Sequence, residues 1–216
     1  MAIISAADAK YFSFLQKCIS QAKIFHPRDK VTVYDLGLSD HQIKELNVDR
    51  IIPWKNVRIK GINKKFDIIN AQKPHLIMEA LEHYQENILF LDADAFLLKP
   101  VPELLYGNYD AVVTIRREED QEFKFNKCRV LNGGVLSVSN RKFLEEWINT
   151  IKALDETYLP EQTALTRLVF SEHNFRVKKL PCLKYNFYWQ DVPIPDNVRV
   201  FHYKGRKIKD GINWSL

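Results

Sequence analysis

The chain has 216 residues, 46% of them hydrophobic, which suits one compact α/β domain able to bury about 70% of its unfolded surface. Its net charge of +5 is spread among acids and thickens only at Lys204, Arg206, Lys207 and Lys209, without the dense basic stripe of a nucleic-acid protein. Seven glycines and no low-complexity stretch exclude long disordered linkers and collagen-like or mucin-like segments.

The longest apolar runs, residues 88–91 and 95–98, fall far below the roughly 20 residues that cross a bilayer. The first residues carry no basic n-region, so neither a transmembrane helix nor a signal peptide is expected. Cys18, Cys128 and Cys182 are odd in number and widely spaced, which fits neither a disulfide framework nor a CxxC metal site. A reducing, cytoplasmic setting is the simpler reading; a domain cut from a longer protein is the other. The glycosylation sequon at residues 213–215 arises easily by chance and carries little weight.

In chain order, residues 2–6 read as a buried strand, and Phe12, Leu15, Ile19, Ala22 and Phe25 then recur at helical spacing until Pro27. Residues 30–36 alternate toward a second strand, and Ser39 can cap a short helix over 41–46. After Ile51, Ile52 and Pro53, a polar, basic stretch to Lys65 reads as a loop. Pro74 suits a first helical turn, with Leu76, Ile77, Ala80, Leu81 and Tyr84 as its apolar face. Residues 87–91 then form an uninterrupted apolar strand of the kind buried on both faces of a parallel sheet. This alternation predicts an open, mostly parallel, Rossmann-like α/β sheet with helices on both sides. Strand candidates at 110–115, 130–138 and 198–203, with helices at 141–153 and 161–170, make the second half less regular and the sheet mixed. No repeat or boundary divides the chain. A single domain over 1–216 is expected, with a nucleotide-binding half up to about residue 100 and an acceptor and catalytic half after it.

The strongest chemical signal is residues 88–94, where a buried strand ends in Asp92 and Asp94. Ligands gather at the carboxyl ends of strands in open α/β sheets. In an extended chain, alternate carboxylates can aim at one ion, and hard oxygen ligands suit manganese or magnesium bridging a diphosphate. A pair of acids capping amides in a turn is the plain alternative. The apolar run before the pair and FLLKPVPEL after it favour the site.

An ordered set of motifs accompanies that pair: SAADAKYF at 5–12, QKPHLIMEAL at 72–81, LFLDADAFLLKP at 89–100, LNGGVLSVS at 131–139, PEQTAL at 160–165, LPCLKYN at 180–186 and FHYKG at 201–205. In this order the chain resembles the nucleotide-diphospho-sugar transferases of the GT-A fold, most closely the glycogenin-like and bacterial galactosyltransferase-like groups of glycosyltransferase family 8. The resemblance implies a UDP-sugar donor, a carbohydrate or glycoconjugate acceptor, and Mn2+ (or Mg2+) held by Asp92, Asp94 and His202. Asp92 also matches an aspartate that touches the donor. Ala6, Asp8 and Tyr11 match the loop that holds the base, where the acid would accept from uracil N3 and the ring would stack. Helix capping by Asp8 and core packing by Tyr11 stay open.

Lys73 matches a cation near the donor, or is an ordinary solvated lysine. Ala93 lies between the two acids, and Asn132, Gly133 and Gly134 match the segment beside the transferred sugar, a turn between strands being the alternative. Lys204 and Lys207 could neutralise the leaving diphosphate, and Gly205 permits a close backbone approach. The family's basic residue after the histidine falls here on Ile208, so that contact departs from the pattern. Glu161 and Gln162 match an acidic-Gln pair facing the anomeric carbon. Gln162 goes with retention of configuration; Glu161 as a base would go with inversion, and a first-turn Glu is also an ordinary helix-dipole choice. Tyr185, Asn186 and Trp189 could border the acceptor or pack in the core.

Several other readings fail on sequence. A nucleotidyltransferase would need a glycine-rich loop after the first strand, and SAADAKYF has none. The context of Phe96 suits a DxD phosphatase poorly, and neither GxxxxGK[ST] nor GxGxxG occurs. An idle sugar-nucleotide binding module stays open, because only turnover separates it from an enzyme.

Overall fold

The computed structural model describes residues 1–59, 62, 65–124, 127–154, 159–172, 174–188 and 193–203. The strands are β1 Ala2–Ala7, β2 Lys30–Asp35, β3 Arg50–Pro53, β4 Ile88–Leu91, β5 Ala95–Leu97, β6 Ala111–Ile115, β7 Glu122–Lys124, β8 Lys127–Arg129, β9 Leu131–Val138, β10 Val177–Pro181 and β11 Val200–His202. The α-helices are α1 Phe12–Phe25, α2 Asp40–Glu45, α3 Lys65–Asn70, α4 Lys73–Tyr84, α5 Pro102–Leu105, α6 Arg141–Lys152, α7 Pro160–Phe170 and α8 Cys182–Tyr185.

A seven-stranded sheet runs in the order β10-β6-β9-β4-β1-β2-β3. All its pairings are parallel except those of β9, which is antiparallel to both β4 and β6. The expected mostly parallel α/β architecture is present, with strands from both halves of the chain in one sheet. Alternation along the strands divides the core in two. Ile3 of β1 and Leu89 and Leu91 of β4 join Phe14, Leu15 and Ile19 of α1, while Ile4 and Phe90 join Leu76, Leu144, Trp147 and Leu165 of α4, α6 and α7.

Local signals explain the boundaries. Ser39 and Gln42 form a reciprocal capping box at the start of α2. Asn140 accepts from Lys142 N and Phe143 N at the start of α6, and Pro74 sits in the first turn of α4. The sequence reading lacks β5, directly after the acidic pair, and the edge strand β10, as well as α3 and β8, whose Ile69, Asn70 and Arg129 line the site. β5 pairs antiparallel with β11, setting Ala95 opposite His202. Among the described residues no helix is long and apolar enough to cross a membrane. Cys18 and Cys182 are buried and stand outside any disulfide among the described residues.

Candidate active site

β1, β4 and β6 run in the same direction, so their carboxyl ends share one edge of the sheet, and antiparallel β9 begins there. A cavity of about 330 Å³ opens at that edge. Its wall takes Ala6 and Asp8 from the end of β1, Asp92, Ala93 and Asp94 from the end of β4, Arg116 from the end of β6 and Asn132 from the start of β9. Tyr11, Lys73, Gln162 and His202 complete it from other elements.

The chain turns sharply after β4: Ala95 N donates to Asp92 O at 2.8 Å and Asp92 N to Gly134 O at 2.8 Å. Tyr203 N donates to Asp94 O, which ties the turn to β11. His202 Nε2 thereby lies 3.2 Å from Asp94 Oδ1 and 3.7 Å from Asp92 Oδ2. One ligand atom from each of the three residues lies within 4.8 Å of the others. Adjacent ligands on an octahedral ion with bonds of about 2.1 Å are ~3 Å apart, so two carboxylates and one imidazole so spaced can hold a divalent cation. Burial pushes the Asp94 carboxyl up, but His202, hydrogen bonds and Lys73 outweigh it and hold it below its ordinary range.

Gly134 is the residue that lets the ring fit. A β-carbon there would stand 2.3 Å from His202 Cε1 and 2.8 Å from Asp92 Oδ2. The ring's Nδ1 lies 2.8 Å from Asn186 Oδ1. Asn186 is fully buried behind the histidine and Tyr185 packs in the core, so neither forms an acceptor rim.

Lys73, which sequence alone could leave as a solvated side chain, is 4% exposed. Its Nζ lies 2.8 Å from Asp92 Oδ1, donates to Gly133 O at 3.2 Å and sits 4.0 Å from Glu161 Oε1. Burial pushes the ammonium down, but Asp92 and Glu161 more than compensate, so Lys73 stays charged. The first turn of α7 splits its acidic-Gln pair. Gln162 faces the cavity, whereas Glu161 is 0% exposed and absent from the wall. Burial raises the Glu161 carboxyl above its usual range, with Lys73 opposing. Leu159, just before α7, adopts φ 50°, a left-handed conformation that costs a branched residue roughly 1–2 kcal/mol.

Arg116 is a site residue that the sequence reading passed over. It is 8% exposed and donates through Nη2 to Gln162 Oε1 at 2.9 Å and through Nε to Leu131 O at 3.3 Å. Gln162 Nε2 in turn donates to Glu161 Oε1 at 3.3 Å, so both ends of the amide are held. Its signal was a charged residue placed directly after the buried strand VVTI, at the carboxyl end where ligands gather.

Asp8 both lines the cavity and caps: its Oδ1 accepts from Lys10 N at 3.1 Å. Tyr11 reaches the cavity while its ring packs against Phe14, and burial, with Asp94, Asp92 and Asp8 nearby, pushes the phenol up. Gly133 lies beneath Gln162, 3.4 Å from its Cγ to a would-be β-carbon. Lys204, Gly205, Lys207, Ile208 and Trp189 fall outside the described residues.

No family model matches the chain, and no curated protein matches it. Solved structures do. An active-site mutant of LgtC aligns with a TM-score of 0.63 at 17% identity, covering 100% of this chain and 92% of that one. The galactosyltransferase LgtC in complex with donor and acceptor sugar analogues gives 0.61 at 18%, covering 95% and 87%. The chain has the GT-A glycosyltransferase fold. A glycosyltransferase involved in glycosylation of the major capsid of PBCV-1 shares this GT-A fold at a TM-score of 0.64 and 14% identity, covering 95% and 94%. At these identities the likeness is one of fold. The Asp92, Asp94 and His202 cluster thus stands at the carboxyl edge of a GT-A sheet.

Proposed function

We propose that this single domain is a metal-dependent glycosyltransferase that moves a hexose from a UDP-sugar to a carbohydrate or glycoconjugate acceptor, with retention of configuration. The observation that carries the reading is the meeting of Asp92, Asp94 and His202 in one cavity of a glycosyltransferase fold. Manganese or magnesium bound there would supply Lewis-acid stabilisation of the charge that builds on a departing diphosphate.

The chain's own groups do the rest. Lys73 aims Asp92, because its ammonium contacts both carboxylate oxygens. Asp8 keeps one oxygen for capping and offers the other to an N–H on the base edge, beside Tyr11 and the small Ala6 and Ala93. Gln162 faces the cavity with its amide fixed between Arg116 and Glu161, so it meets the sugar in one orientation. Glu161 is buried and does not line the cavity, whereas a general base must come within hydrogen-bond reach of the proton it takes. That favours retention with Gln162 at the anomeric face over inversion with Glu161 as base. The LgtC complex with donor and acceptor sugar analogues supports a fold that seats two sugars together.

A thermal-shift panel of UDP-, GDP- and CMP-sugars with manganese tests the donor. A ligand at a hundred times its dissociation constant adds about 2.7 kcal/mol, or roughly 5–10 °C for a domain of this size. A GDP-sugar that stabilised the protein more than every UDP-sugar would overturn the donor assignment. Release of UDP with an acceptor separates an enzyme from a binding module, and the anomeric proton of the product, read by NMR, decides between retention and inversion.

A further inference from the structure

The pairing of β6 with β9 slips at one point: Val113 stands opposite Leu136, but Thr114 stands opposite Asn132. The slip leaves the Thr114 hydroxyl 3.0 Å from Asn132 O and 3.2 Å from Val135 O. Carbonyl oxygens only accept, so the hydroxyl's one proton points to them. The same hydroxyl oxygen lies 2.8 Å from Asn186 Nδ2, and with its proton committed it accepts there. An amide turned this way presents Oδ1, not its NH2, to His202 Nδ1 at 2.8 Å. The oxygen needs a donor, so Nδ1 carries a proton. Nε2, facing Asp92 and Asp94, is left as the nitrogen whose lone pair can ligate.

We propose that Thr114 and Asn186 are positioning residues that fix the protonation pattern of His202 for metal binding. The inference rests on the metal-centred reading of this site, but the pattern itself is readable without donor or acceptor. Thr114 and Asn186 are 0% exposed and His202 5%, so bulk water does not substitute for a missing partner. The competing arrangement rotates the amide by half a turn. It puts NH2 against a bare Nδ1, places the ring proton on Nε2 and pulls the Thr114 proton away from both carbonyls. A bulge in the sheet, an element usually read as a bend in the backbone, here selects between two states of a ligand two side chains away.

Long-range 1H–15N spectra of 15N-histidine-labelled protein, metal-free and with Mg2+, test the pattern directly. Manganese affinity by EPR tests its use. The wild type is expected to keep a proton on His202 Nδ1 in both states. Asn186→Leu is expected to weaken manganese binding by about 10–100-fold, the range typical of partners that orient a metal-bound histidine. Thr114→Val, equal in shape but without the hydroxyl, is expected to lose the fixed Nδ1 proton and weaken manganese binding, and Thr114→Ser to restore both. A packing role alone would lower the melting temperature of Thr114→Val without altering the nitrogen spectrum. A bare Nδ1 in the wild type would overturn the proposal, as would wild-type manganese affinity in Thr114→Val. Should Asn186→Leu not fold, the wild-type spectrum and the Thr114 pair decide. The expected spectrum together with no response to any UDP-sugar would uphold this assignment and overturn the donor.

Discussion

Gly134→Ala asks how closely the metal-ligand cluster is built. The added β-carbon would stand 2.3 Å from His202 Cε1, 2.7 Å from its Nδ1 and 2.8 Å from Asp92 Oδ2. Carbon atoms in contact settle at about 3.5–4.0 Å, so the ring must retreat by roughly 1.2 Å or more. Metal sites tolerate displacements of about 0.2 Å in their ligand distances, so a retreat several times larger removes the imidazole and disturbs one carboxylate. Manganese affinity is expected to fall at least ~100-fold, about 2.7 kcal/mol. Overpacking should also cost about 1–3 kcal/mol of stability without metal. Gly133→Ala is the matched control, because its β-carbon meets only Gln162 Cγ at 3.4 Å and Lys73 Nζ at 3.9 Å. Manganese titration by EPR and thermal melts of both variants measure these effects. Wild-type affinity in Gly134→Ala, or equal losses in the two variants, would refute the argument from close approach.

Asp94→Asn and His202→Ala are expected to abolish manganese-dependent donor hydrolysis and transfer, read from coupled UDP-release assays; His202→Ala should also lower the metal-free melting temperature, because it empties a buried site and leaves Asn186 Oδ1 without its partner. Gln162→Ala should lower turnover by about 10²–10³-fold with manganese affinity intact, since it removes a preorganised group at the sugar and no metal ligand. Because burial raises the Glu161 carboxyl, stability from its protonated form is full below the ordinary glutamate range and is lost as pH rises through the raised value. Glu161→Gln should flatten that part of the stability-versus-pH curve and keep turnover within about tenfold; a loss of ~10³ would make Glu161 the base after all.

Long periodic segments were legible in the sequence because burial on two faces leaves a strong pattern. The α1 positions Leu15, Ile19 and Ala22 and the uniformly apolar β4 announced themselves. β5 did not, because Ala95–Leu97 is only three residues long and merges with the apolar run around it. β10 reads Val-Lys-Lys-Leu-Pro, and its two lysines at a sheet edge erase the hydrophobic signal. Within the site, Asp92, Asp94 and His202 were visible through motif order, but their mutual distances depend on β5 pairing with β11. The split between Glu161 and Gln162 was invisible, since adjacent residues in a first helical turn point in different directions and only packing against Trp147 and Lys73 decides which is covered. Arg116 was masked by the charged run that follows it, which resembles a solvated loop.

The short ladder between β5 and β11 holds the late part of the chain with three residues on each side. An ion shared by Asp94 and His202 would therefore serve as a cross-link spanning roughly a hundred residues, a loop length for which chain entropy assigns a disulfide about 4.7 kcal/mol. Occupancy of the site would then govern how often β11 parts from β5. Under metal starvation, proteases would find the cleavable, opened form of the protein at concentrations where the filled form resists them.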